Sequence, residues 1–145
     1  MKIVIANDHR GVELKNRIME FLKNKGYTID NVGTDTTDSV DYPLYAKMLS
    51  NHLEIGDLGI LICGTGIGMS IAANKIKGIR CAKANNIDEA KMTRMDNDAN
   101  VLALSSEMEL EEVEKIIDAF LTAEVSMDER HVRRRKMLEE LENER

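Results

Sequence analysis

Aromatic side chains are scarce. They make up 3% of the 145 residues, and tryptophan is absent. That removes the stacking platform on which single-stranded nucleic acids are held. Positive charge is also in deficit. The formal net charge is −6 and the isoelectric point is near 5.1, which argues against general nucleic-acid binding. No apolar run approaches the roughly 20 residues that span a bilayer, so no membrane partner is expected. The opening Met1-Lys2-Ile3-Val4-Ile5-Ala6 is too short for the apolar part of a secretion signal and reads as a strand. Cysteine occurs twice, at Cys63 and Cys81. Without a secretion signal, both are expected as reduced thiols in the cytoplasm. Proline occurs once, at Pro43, and no linker, repeat or low-complexity tract interrupts the chain. A P-loop is missing too, and the glycine spacing is not that of a dinucleotide fingerprint.

What remains suits a single globular domain over residues 1–145, with 43% hydrophobic and 32% charged residues. Strands and helices alternate. Strands are predicted at Lys2 to Ala6, Tyr27 to Val32, Leu58 to Ile62, Ile79 to Lys83 and Asn100 to Leu104. The first helix, Val12 to Lys25, sets Leu14, Ile18 and Leu22 on one face and stops at Gly26. Asp41-Tyr42-Pro43 opens a second helix running to about His52. A third runs from Ser70 to about Lys77, and a fourth from Ile87 to Met95. Ser106-Glu107-Met108-Glu109 has the form of a capping box before a helix to Leu121. A charged helix over about Asp128 to Leu141 ends the chain. Alternation of this kind implies an α/β fold with a parallel sheet and right-handed crossovers.

The segment richest in chemistry is Gly59 to Lys75. A short apolar strand ends on Cys63, a Gly64-x-Gly66-x-Gly68 turn follows, and a helix comes next. This order puts a thiol at the carboxyl edge of a sheet, where open α/β folds bind ligands. Turn amides and the helix start favour negative charge there and lower a thiol pKa. A cysteine in that place also serves as a small buried hydrophobe, and such glycines as a tight turn. Asp8, with His9 beside it, ends the first strand at the same edge; Asp8 is either a ligand group or the cap of an Asx-turn. In the last helix, Arg130, His131, Arg133, Arg134, Arg135 and Lys136 form a basic cluster. It reads as a solvated face, a stripe paired with Glu139 and Glu140, or a polyanion patch. Arg130 and Arg134 share one face and could fork onto a phosphate. His52 and His131 read as surface residues.

These motifs together resemble the type B ribose-5-phosphate isomerase family, which includes the galactose-6-phosphate isomerase subunits. The resemblance is carried by Asn7-Asp8-His9-Arg10-Gly11, Ser39-Val40-Asp41-Tyr42-Pro43, the block Ile62 to Lys75, Asn97-Asp98-Ala99-Asn100-Val101-Leu102 and Arg130-His131-Val132-Arg133-Arg134. It implies a Rossmann-like three-layer α/β/α sandwich with a mostly parallel five-stranded sheet. It implies no metal or other cofactor. It also implies a homodimer or dimer of dimers, with the C-terminal helix on the partner and the active sites shared. The substrate would be a small phosphorylated sugar, isomerised between aldose and ketose through a cis-enediolate.

By resemblance, Cys63 is the base. Thr65 moves protons at O1 and O2, and Asp8 orients the sugar hydroxyls. The amides from Gly64 through Gly66 and Gly68 to Ser70 hold the enediolate. His9, Arg130 and Arg134 hold the phosphate, Tyr42 lines the sugar pocket, and Asn97 binds sugar hydroxyls. Three positions depart from the pattern. Asp96 stands where the family has the histidine that opens the furanose ring, and an ordinary aspartate is a poor acid at neutral pH unless burial raises its pKa. Glu107 stands where an arginine near the phosphate is common. Asn85-Asn86 replaces a histidine-containing turn. The leading expectation is a ribose-5-phosphate isomerase. The alternatives are an allose- or galactose-6-phosphate isomerase of the same family, or a sugar-phosphate-binding module without catalysis.

Overall fold

In a computed structural model, residues 1–144 are described. Five strands form one parallel sheet: β1 (Lys2–Asn7), β2 (Thr28–Asn31), β3 (Leu58–Cys63), β4 (Cys81–Lys83) and β5 (Val101–Ser105). Their spatial order is β2-β1-β3-β5-β4. Six helices accompany them: α1 (Val12–Asn24), α2 (Tyr42–His52), α3 (Ile67–Asn74), α4 (Ile87–Asn97), α5 (Leu110–Thr122) and α6 (Glu129–Asn143). Among the described residues no helix is long and apolar enough to cross a membrane.

The central strands β1, β3 and β5 are apolar at nearly every position because both faces are covered, whereas the edge strand β2 is mostly polar and has no fully buried residue. Side chains alternate between faces along a strand. Ile3, Ile5, Ile60, Ile62, Leu102 and Leu104 pack under α1, α4 and α5, with Phe120 fully buried among them. Val4, Ala6, Leu61, Cys63, Val101 and Ala103 pack under α2 and α3. The result is the α/β/α sandwich expected. From β1 the chain winds outward to β2, and from β3 it winds the other way, so β1 and β3 flank the topological switch point. Asn7–Asp8 and Cys63–Gly64 leave the sheet there, at the place where such folds bind ligands.

Element ends differ from the sequence reading in physically explicable ways. Helix α3 starts at Ile67 rather than Ser70, because Gly66 at φ 79° turns the chain directly into it. It stops at Asn74, whose side-chain amide bonds both the N–H and the C=O of Cys81, each at 2.8 Å. The capping box does not form. Ser106 N–H instead extends the sheet to the Cys63 carbonyl (2.9 Å), and the Ser105 hydroxyl accepts from Glu107 N–H (3.1 Å). Helix α5 therefore begins only at Leu110. Lys15 on α1 is fully buried and donates to the Thr34 carbonyl (2.6 Å) and to Asp35 (2.5 Å). It pins the β2–α2 loop, and that hydrogen bond and charge hold the Asp35 carboxyl below its ordinary pKa.

Candidate active site

Cys63 ends β3 almost fully buried, and the Gly66 N–H donates to its Sγ at 3.2 Å. Each glycine of the turn has its own reason to lack a side chain. Gly66 has a positive φ, and a Cβ there would lie 3.0 Å from the carbonyl carbon of Leu104. A Cβ on Gly68 would lie 2.9 Å from the ring of Tyr42, and one on Gly64 would lie 2.5 Å from an Arg10 guanidinium nitrogen. The turn is thus packed between Arg10, Tyr42 and β5. Among the described residues, the amides of Gly64, Thr65, Gly68 and Met69 have no acceptor in the protein. They are available to an anion at the start of α3.

Ser70 is a correction. Its N–H is used inside the helix, donating to the Gly66 carbonyl at 3.1 Å. Its amide is not free to join the cradle. Burial pushes the Cys81 thiol up to about 12, the Ser70 hydrogen bond only partly opposing it. Cys81 is therefore an inert, protonated thiol at neutral pH. Thr65 is exposed; its Oγ1 accepts from Ile67 N–H (3.1 Å), which leaves the hydroxyl proton free to donate.

Asp8 is buried beside this turn. Its Oδ1 accepts from Arg10 N–H at 3.0 Å, so it does cap a short 3₁₀ turn over His9–Gly11. Its Oδ2 has no protein partner among the described residues. Cap and ligand are therefore compatible roles. His9 Nδ1 accepts from Val40 N–H at 3.2 Å. An accepting Nδ1 fixes the proton of the neutral ring on Nε2, which becomes a donor. The buried Lys15 holds the loop that carries Val40, and nothing in the periodicity of α1 marks it. Arg10 was not singled out by the sequence either. Its guanidinium lies over Gly64 and pairs with Glu107 at 3.1 Å.

The remaining expected site residues sit elsewhere in the chain. Val101 pairs with Gly59 and Ser105 with Cys63. Asp96 and Asn97 end α4, just before β5 begins, so they lie at the amino edge of the sheet. Cys63 lies at the other edge, farther along the strands by roughly 13 Å at ~3.3 Å per residue. Helix α6 joins the amino edge. Arg135, the buried arginine of the basic cluster, donates to the Asp96 carbonyl (3.2 Å) and the Ser126 carbonyl (2.7 Å). His131 is not a surface residue. Its side chain is 15% exposed, with Nε2 3.7 Å from an Asp96 oxygen and Nδ1 2.8 Å from Ser126 Oγ. His52 is exposed as expected, facing Asp30. Arg130 and Arg134 are exposed on α6 and make no ion pair among the described residues. A single chain therefore brings together Asp8, His9, Tyr42, Cys63 and Thr65, but not Asp96, Asn97, Arg130 or Arg134.

Known sequences and solved structures resemble this chain along nearly its whole length. The family model described as Ribose/Galactose Isomerase matches residues 3–138. The chain belongs to that family. Among ribose/galactose isomerases, it is 47% identical over 122 residues to a putative sugar phosphate isomerase of Rickettsia bellii, covering 82% of this chain and 85% of that one. It is 41% identical to ribose-5-phosphate isomerase B of Escherichia coli, covering 85% of each. Ribose-5-phosphate isomerase B of Clostridium thermocellum superposes with a TM-score of 0.94 at 44% identity, over 99% of both chains. As a ribose/galactose isomerase, the protein is an enzyme acting on phosphorylated sugars.

Proposed function

We propose that this isomerase interconverts ribose 5-phosphate and ribulose 5-phosphate through a cis-enediolate, with Cys63 as the base. The observation that carries the reading is the thiol at the switch point, beside amides with no protein acceptor. The thiolate removes the proton from C2, the C2–H electron pair becomes the C1–C2 double bond, and the charge moves to O1. Amides of Gly64, Thr65, Gly68 and Met69 stabilise that oxygen. Thr65 passes a proton between O2 and O1, and return of the thiol proton to C1 completes the ketose. Asp8 Oδ2 accepts from the sugar hydroxyls, and Tyr42 walls the pocket.

The site is shared in a homodimer. A partner's copies of Asn97, Arg130 and Arg134 complete it, since one chain holds them at the far edge of its own sheet. An exposed apolar face beside the site, with Leu44 and Met48 on α2 and Ile67 and Ile71 on α3, suits contact with a second copy. A hexose 6-phosphate is the second substrate reading, favoured by 38% identity to a galactose-6-phosphate isomerase subunit of Clostridium acetobutylicum.

Two measurements test the proposal. Turnover on ribose 5-phosphate is compared with turnover on allose and galactose 6-phosphates. Cys63→Ala should lower turnover by about 10³-fold or more, within the reach of general-base loss, while calorimetry finds sugar-phosphate affinity unchanged. Near wild-type turnover in Cys63→Ala would remove Cys63 as the base.

A further inference from the structure

Arg10 and Glu107 form an ion pair at the mouth of the Cys63 turn, and the glycine chemistry of the turn explains why it lies there. The guanidinium rests on Gly64, where a Cβ would meet its Nη1, Cζ and Nε at 2.5, 2.8 and 3.1 Å. Glu107 accepts from the opposite nitrogen, Nη2, at 3.1 Å. Glu107 is itself fixed at its backbone: its N–H donates to Ser105 Oγ (3.1 Å), and that hydroxyl donates to the Gly64 carbonyl (2.7 Å). Turn, hydroxyl, carboxylate and guanidinium form one connected ring. Both charged side chains are more than half exposed, at 54% and 72%. An exposed pair of this kind adds little to stability. Its position matters more: it sets a cation on Gly64, beside the unpartnered turn amides, one residue along the chain from His9, whose Nε2 is a donor.

Resting on the reading of this site as a sugar-phosphate site, we propose that Arg10 is a ligand of the substrate's phosphate and Glu107 its resting counter-ion. A phosphate dianion matches the guanidinium fork better than one carboxylate does and brings more charge. Binding exchanges Glu107 for phosphate on Arg10, so Glu107 weakens affinity by competition for the guanidinium. Glu107 at this place therefore does not leave the phosphate end without a local cation. It tunes how tightly that cation is available, and raises the substrate concentration at which the site fills.

The probe is inorganic phosphate, titrated by calorimetry at pH 7.5 and fixed ionic strength into the full-length enzyme and its variants. Glu107→Gln should tighten phosphate binding by roughly 3- to 10-fold, and Arg10→Ala should weaken it by 10-fold or more, as loss of a charge-assisted contact implies. The double variant should match Arg10→Ala, because Glu107 acts through Arg10. Arg10→Lys should recover only part of the loss. If Glu107→Gln weakens phosphate binding, or Arg10→Ala leaves it unchanged, the pair is only a surface tie and the proposal falls. Turnover measured in parallel separates the two readings. Shifted phosphate affinities in an enzyme that does not turn over ribose 5-phosphate would uphold Arg10 and refute the substrate assignment. Normal turnover with phosphate affinity indifferent to Arg10 would do the reverse.

Discussion

Asp96, His131 and Arg135 meet at the end of α4, and each departs from what its residue type suggests alone. Asp96 stands where the family pattern has a ring-opening histidine. Its side chain is 44% exposed and lies 3.7 Å from His131 Nε2, so a carboxylate stands in the place of an imidazole. We propose that ring opening is then the weak step of the reaction. Asp96→His should raise turnover on ribose 5-phosphate by several-fold, and raise it less on a four-carbon sugar phosphate that cannot close a furanose. An equal loss on both substrates would show that Asp96 has a role of its own. At this scale the sequence was informative where a residue type is rare in its position, as with Cys63 and its glycines. It was silent on Arg10 and Lys15, and it placed His131 on the surface, where the structure does not have it. A lysine in an amphipathic helix and an arginine in a loop read as solvated, and only the fold reveals that Lys15 is buried and that Arg10 lies on Gly64.

Helices and strands were legible where the pattern is long or the punctuation strong. The α1 stripe and the Asp41-Tyr42-Pro43 start of α2 stand where they were expected. Boundaries slipped where tertiary hydrogen bonds compete with local signals, as at Ser106, whose amide the Cys63 carbonyl takes. Asp57 is another such tertiary tie, joining the starts of β1 and β3. Burial raises its pKa, but the backbone N–H groups of Lys2 (3.0 Å) and Glu54 (3.1 Å) and the Lys2 charge outweigh that, and the net shift is downward. A carboxyl whose pKa is lowered by folding stabilises the fold above its unfolded pKa of about 3.9 and loses that contribution as pH falls through the folded value. Asp57→Asn should therefore lower the melting temperature at pH 7, with the difference from wild type shrinking towards pH 3. A difference that is constant across that range would mean that the carboxylate charge is not what ties the strands.

For the whole molecule, the sheet order separates two groups of chemically loaded residues. The switch point carries Asp8, His9, Cys63 and Thr65, while the amino edge carries Asp96, Asn97 and the arginines of α6. The α/β architecture could be read from alternation alone. The separation could not, because the strand register that creates it is a tertiary property. Helix α6 is held to its own chain largely by polar ties, with Arg135 its buried residue and Val132, Met137, Leu138 and Leu141 exposed. A two-fold partner would cover such a helix and make two equivalent composite sites. Subunit mixing tests this most directly. Cys63→Ala and Arg134→Ala, each inactive alone, are unfolded together and refolded. If sites are shared, each mixed dimer has one site with both defects and one intact. Random pairing makes about half the dimers mixed, so about a quarter of wild-type activity should return, from the symmetry of an isologous dimer. If each site is built within one chain, every site keeps a defect; no activity would return, and the account of a shared site would be contradicted.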